Sequence, residues 1–251
     1  MNEKFNGICL KKTSYKDNGE MLSLYTLERG RINCALIGAK KPNAKLKFCG
    51  QTFCFAEYVL SEKSDRRSVV EANEIDCFYG LREDLDRYYS AAVILEFLLA
   101  FTAEGESNYD LFLLAVRSLK NVETGFSPSL ALVYFLIKAL NKTGYLIDFD
   151  VCGGCGGEIE KRAFFDFSDS LVLCSDCADE RKTEMRIDTY RLIRSVGSKD
   201  AVFFGKEEKP AENDFIDCDK AVKNALKFLD YYMAVNVGSG LKTLKTIIET
   251  N

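Results

Sequence analysis

At Gly80 the hydrophobic period of this chain changes from two residues to about 3.6, and this switch restricts the fold more than any other feature of the sequence. Before it, short runs rich in β-branched and aromatic residues alternate with polar turns, the pattern of an antiparallel barrel or sandwich. Five strands are predicted: Phe5 to Lys12, Met21 to Leu27, Arg31 to Ile37, Thr52 to Ser61 and Ser68 to Ile75. Lys16-Asp17-Asn18-Gly19 and Glu28-Arg29-Gly30 supply turns, the second with a glycine free to adopt a left-handed backbone. A long basic loop, Gly38 to Gly50, follows the third strand. Five strands with one long excursion suit a small Greek-key barrel of the OB type, and an SH3-like barrel fits the same pattern.

Beyond Gly80, helical periods dominate. Leu81, Leu85, Tyr88, Tyr89, Ala92, Leu95 and Leu99 form one predicted apolar stripe. Ser107-Asn108-Tyr109-Asp110 is a helix start opening the run Leu111 to Val122, and Ser127-Pro128 is another, with Gly144 as its stop. Leu130 to Ile137 is apolar nearly all round, so that helix is expected at the centre of a bundle. Helical patterns resume at Asp188 to Val196, Asp217 to Val235 and Leu241 to Glu249, after an insertion from Asp150 to about Arg181 that has none. The expected fold class is therefore α+β and multidomain. An N-terminal OB-fold barrel (residues 1–79) precedes an all-α helical domain (80–251) with an inserted cysteine module at about 150–181.

Within the insertion, Cys152-Gly153-Gly154-Cys155 and Cys174-Ser175-Asp176-Cys177 have the spacing of a zinc ribbon, in which two knuckles each give two thiolates to one tetrahedral ion. Cys152, Cys155, Cys174 and Cys177 are thus the predicted ligands of one structural Zn2+. Gly154, Gly156 and Gly157 are expected to relieve the knuckle where φ is positive. Ala163 to Phe167 and Leu171 to Leu173 read as the ribbon's two strands. A site closed by four thiolates leaves no position for a water nucleophile. Neither C-x-x-C opens a helix in a βαβ unit, as a redox site would. Cys9, Cys34, Cys49, Cys54 and Cys77 are expected as buried thiols, and Cys218 stands alone.

The chain contains no histidine, which excludes Ser-His-Asp and Cys-His catalysis, and no catalytic residue is predicted. Its longest apolar stretch, Ala91 to Phe101, is interrupted by Glu96 and falls short of the roughly 20 residues that span a bilayer. The N-terminus lacks a signal peptide's apolar core, so a cytoplasmic location is expected and no membrane partner. Net charge is -4, but unevenly placed: residues 1–50 sum to +6 and the remainder to -10. Arg29, Arg31, Lys40, Lys41, Lys45 and Lys47 fall in a stretch without an acidic residue. On the hairpin and loop of a small barrel such charges can track a phosphate backbone, with Tyr15 and Phe48 as candidates for base stacking.

Gly7-Ile8-Cys9-Leu10, then Tyr15, Asp17 and Glu20, then Leu24-Tyr25-Thr26-Leu27-Glu28-Arg29-Gly30-Arg31-Ile32 resemble the opening of the bacterial recombination mediator family RecO. Gly38-Ala39-Lys40-Lys41-Pro42, Lys45 and Gln51-Thr52-Phe53 are similar to that family's basic loop. Leu81-Arg82-Glu83-Asp84-Leu85 resembles the start of its first long helix, and the paired cysteines fall where many members carry a zinc module. The resemblance implies a nucleoid-associated DNA repair protein without enzymatic activity that binds single- and double-stranded DNA and anneals complementary strands. It also implies two protein partners, RecR and the C-terminal tail of single-strand-binding protein, and a role in loading RecA onto coated DNA. The alternative class is a zinc-ribbon regulator of transcription or translation, which would prefer a particular sequence or RNA. An acidic body and cysteines at barrel positions depart from the family pattern.

Overall fold

In the computed structural model, the described residues are 2–41, 44–63, 66–125, 127–198, 218–238 and 240–250. Pro42 and Asp217, singled out above, lie outside them, as does the side chain of Cys218. The chain divides into two compact units, Met1–Glu123 and Thr124–Asn251.

In the first unit, strands β1 (Asn2–Tyr15), β2 (Gly19–Thr26), β3 (Gly30–Leu36), β4 (Phe55–Lys63) and β5 (Arg66–Asp76) close a barrel in the order β1-β2-β3-β5-β4. The parallel β3–β5 contact at Ala35 and Ser68 fixes the OB topology over the SH3-like alternative. Closure depends on β1, which pairs with β4 through Asn2–Ile8 and with β2 through Gly7–Tyr15, its register shifting between Cys9 and Lys11. Such a bulge bends a strand enough to serve two neighbours. Inward-facing Phe5, Leu22, Leu24, Ile32, Leu36, Tyr58 and Leu60 fill the core.

The expectation of five buried thiols needs one correction. Cys9, Cys34 and Cys49 are free and buried, whereas Cys54 and Cys77 form a disulfide. The cause is register: Phe55 pairs with Asp76, so the residues just outside that pair face each other across β4 and β5. The barrel then hands the chain to helix α1 (Leu85–Phe101) through a junction knitted by Arg82. Its guanidinium donates to the carbonyls of Cys77 at 3.0 Å and Thr52 at 2.5 Å and lies over the Phe53 ring.

Asp84 caps α1 by accepting the Arg87 N–H at 2.9 Å. The predicted α1 stripe is also displaced. Leu85 is 73% exposed and Tyr88 and Tyr89 are partly exposed, while Ala91, Val93, Ile94, Leu95, Phe97 and Leu98 are buried. The segment is apolar all round, so periodicity alone could not select its face. Helix α2 (Tyr109–Thr124), opened by Asn108 accepting the Leu111 N–H at 2.9 Å, reaches the barrel through Phe112. That ring meets Tyr25 and Phe55 at centroid distances of 6.0 and 5.8 Å.

The second unit is built around α3 (Pro128–Lys142), capped by Ser127 and buried at every position from Leu130 to Ile137, as its sequence required. α3 packs against α4 (Ile187–Ser198) and α5 (Cys218–Asn236), and α5 against α6 (Lys242–Thr250). Between α3 and α4 lies a sheet of β6 (Ala163–Asp166), β7 (Leu171–Cys174) and β8 (Thr183–Met185), ordered β7-β6-β8. The third strand exceeds the expected two. β6 carries Phe165, buried among Phe167, Phe228 and Tyr232, onto α5. No helix among the described residues is long and apolar enough to cross a membrane.

Candidate metal centre and nucleic-acid interface

The four predicted cysteine ligands converge. Their sulfurs lie within 4.8 Å of one another, with Cys155 Sγ 3.9 Å from Cys174 Sγ. Tetrahedral zinc with bonds of about 2.3 Å separates its sulfurs by about 3.8 Å, so this cluster needs only a small contraction to close on an ion. Hairpin β6–β7 delivers Cys174 at its end, and the first knuckle is tied to it by Gly153 N–H donating to the Val172 carbonyl at 2.8 Å. Gly156 alone of the knuckle glycines takes a positive φ, +72°, and its N–H donates to the Cys152 carbonyl at 2.7 Å. Gly154 is needed for space instead: a Cβ there would stand 3.0 Å from Cys177 Sγ. Gly157 has neither the positive φ nor so close a contact.

The electrostatics of the thiols also call for a cation. Burial pushes the Cys152 thiol up, but backbone N–H groups of Cys174, Cys155 and Gly154 outweigh it and bring the thiol down to about 6. The neighbouring sulfurs of Cys174, Cys155 and Cys152 push the Cys177 thiol up to about 12. Four sulfurs this close cannot all carry charge unless a metal ion compensates them.

The six predicted cations do not form one face. Arg29, by the β2–β3 turn, pairs with Glu3 at 2.9 Å and lies over the Phe5 ring. Arg31 is half-buried, its backbone carbonyl accepting the Gly105 N–H at 3.0 Å. Lys40 and Lys41 stand at the opposite end of β3, where the Lys40 N–H donates to the Asn18 carbonyl and Lys40 Nζ to Ser14 Oγ at 3.2 Å. Strand β3, about 20 Å long, separates the two groups. Lys45 and Lys47 are exposed on the loop, and Phe48 packs partly against the barrel core.

Lys41 instead joins residues that the sequence reading did not select. A cleft of about 780 Å³ opens where the β1–β2 turn, the end of β3 and the start of β5 meet, and Lys16, Lys41, Arg66 and Arg67 line it. Tyr15 and Ile37 add apolar surface, Ile37 being 72% exposed, and Lys16 Nζ lies 5.3 Å from the Tyr15 ring centroid. Asn33 and two carboxylates, Asp17 and Glu104, also line it. Arg66-Arg67 is visible as a basic pair between two predicted strands, but only the barrel's topology brings the start of β5 beside the β1–β2 turn.

Comparison with known proteins agrees with this architecture. The family model "Recombination protein O N terminal" matches residues 1–78, and "Recombination protein O C terminal" matches residues 82–245. The DNA repair protein RecO of Desulforamulus reducens is 34% identical over 196 residues, covering 77% of this chain and 76% of the relative. RecO of Clostridium novyi is 31% identical over 194 residues, covering 76% and 75%. RecO of Listeria monocytogenes serovar 1/2a is 27% identical over 252 residues, covering 98% of this chain and 94% of the relative. With its barrel, helical unit and cysteine cluster all spanned by these matches, the chain belongs to the RecO family of DNA repair proteins.

Proposed function

We propose that this chain is a non-enzymatic mediator of DNA repair and recombination that binds DNA, anneals complementary strands and helps load RecA onto strands covered by single-strand-binding protein. The observation that carries the reading is the cationic cleft at one end of an OB barrel, where Lys16, Lys41, Arg66 and Arg67 meet beside Tyr15 and Ile37. Positive charge there seats phosphates, and the apolar and aromatic surface takes unpaired bases. Residues 1–79 act as the nucleic-acid-binding domain. Residues 80–251, where the sequence is acidic, serve contacts with RecR and the tail of the coating protein. Cys152, Cys155, Cys174 and Cys177 hold one Zn2+, chosen by an all-thiolate donor set and serving structure alone.

The protein acts inside the cell, with DNA, and its lack of histidine supports a role through binding. The test is annealing of two complementary strands precoated with single-strand-binding protein. The intact chain accelerates duplex formation and consumes no nucleotide. Absence of any acceleration, or acceleration limited to one sequence, contradicts the reading.

A further inference from the structure

We propose that Glu104, paired with Asn33 in the lining of the barrel cleft, reads the edge of an unpaired base and makes the cleft favour cytosine and adenine over thymine. The inference rests on the DNA-binding reading above and adds a specificity-determining residue to it. Glu104 comes from the connector between α1 and α2, and that connector is fastened to β3. Gly105 N–H donates to the Arg31 carbonyl at 3.0 Å. Gly30, with φ of +59°, admits the connector so closely that a Cβ would lie 1.8 Å from the Glu106 carbonyl oxygen. The backbone that carries Glu104 is therefore held in place before any ligand arrives.

Its surroundings indicate what it accepts. Four cations line the same cleft, yet Glu104 forms an ion pair with none of them among the described residues; both its oxygens lie 3.5 Å from Asn33 Nδ2. A strand resting its phosphates on Lys16, Lys41, Arg66 and Arg67 cannot turn a phosphate toward a carboxylate, because like charges repel. A base edge can face it. Cytosine and adenine each present an exocyclic amine beside a ring-nitrogen acceptor, which matches a carboxylate acceptor next to an amide donor. Thymine offers its imide N–H to the carboxylate only with a carbonyl oxygen on either side, so that one oxygen meets the Asn33 amide while the other is left against the carboxylate. In a duplex all of these edges are already paired, so the same pair of side chains favours single strands.

The experiment uses the full chain with fluorescent oligo-dC and oligo-dT of equal length at fixed salt. Wild type should bind oligo-dC about fivefold more tightly than oligo-dT, the lower end of what a well-placed polar contact to a base contributes. Glu104→Gln, whose amide offers a donor as well as an acceptor, should bring the ratio close to one, and Glu104→Ala should do the same. The Lys41→Ala/Arg66→Ala double variant should weaken both oligonucleotides by a common factor. Equal gains for both oligonucleotides in Glu104→Gln would show that the carboxylate only repels phosphate, and would overturn the proposal. A wild-type ratio of one, with the double variant still weakened, overturns the role of Glu104 alone. Unchanged affinity in the double variant overturns the placement of DNA in the cleft and Glu104's role with it.

Discussion

Replacing Cys152 with serine should uncouple the ribbon from the helical unit while leaving the barrel intact. Cys152 is 1% exposed, and its sulfur accepts the Cys174 N–H at 3.3 Å, so the residue both ligates and ties the two knuckles together. Zinc binding is worth about 10 to 16 kcal/mol in small zinc-finger peptides, far more than three short strands could supply unaided. Without the ion, β6 should detach from α5 and Phe165 should leave its place among Phe228 and Tyr232. Burial of one such ring stabilises by about 2 to 3 kcal/mol. For a unit of this size that is a fall of roughly 6 to 15 °C in Tm, at about 3 to 5 °C per kcal/mol. Elemental analysis and calorimetry provide the assay: about one Zn2+ per chain in wild type, none in Cys152→Ser, and a lower transition for the variant. DNA affinity should not change, because every residue of the cleft lies within Met1–Glu123. A variant that keeps its zinc, or loses it without any fall in Tm, would refute the reasoning.

Phe112→Ala should destabilise the first unit by about 3 to 5 kcal/mol, because the ring is 2% exposed and joins α2 to Tyr25 and Phe55 of the barrel. Denaturant unfolding followed by both far-ultraviolet circular dichroism and barrel tyrosine fluorescence should shift together; a shift in one signal only would separate α2 from the barrel. Lys182 beside Asp166 holds the Asp166 carboxyl below its usual range. Asp166→Asn keeps an oxygen for the Ser168 N–H but loses the charge. The ion pair's contribution is fully present above the unfolded carboxylate value of about 3.9 and disappears as pH falls through the lower folded value. Asp166→Asn should therefore be less stable than wild type at pH 7 and approach it in acid, and a difference that grows on acidification would show that the pair does not act this way.

How much of this was legible depended on whether the determining contact is local. Alternation gave all five barrel strands, but not their bulges. Val70 and Ile75 are extra residues where the β4–β5 register shifts, which is why two apolar side chains of β5 stand about half exposed. The cysteine knuckles were readable because two ligands separated by two residues are already neighbours. The Cys54–Cys77 pair was not, because it depends on which residues of β4 and β5 face each other. β8, only Thr183-Glu184-Met185, has too few residues and too much polarity to show a period, and it exists by pairing with β6. A run of six positive residues suggested a face, yet a strand's length divides them. The cleft draws on three separate stretches of the barrel, and Glu104 comes from a helix connector with no signal of its own.

The salt dependence of single-strand binding tests the central claim most directly. If Lys16, Lys41, Arg66 and Arg67 each neutralise one phosphate, they account for a log-log slope of about -2.8, at about 0.7 per contact. Replacing Lys41, Arg66 and Arg67 together with alanine should remove about three quarters of that share, and replacing Arg29 should remove little, since Glu3 already pairs with it. An unchanged slope in the triple variant, with binding retained, would place the DNA elsewhere and contradict the account.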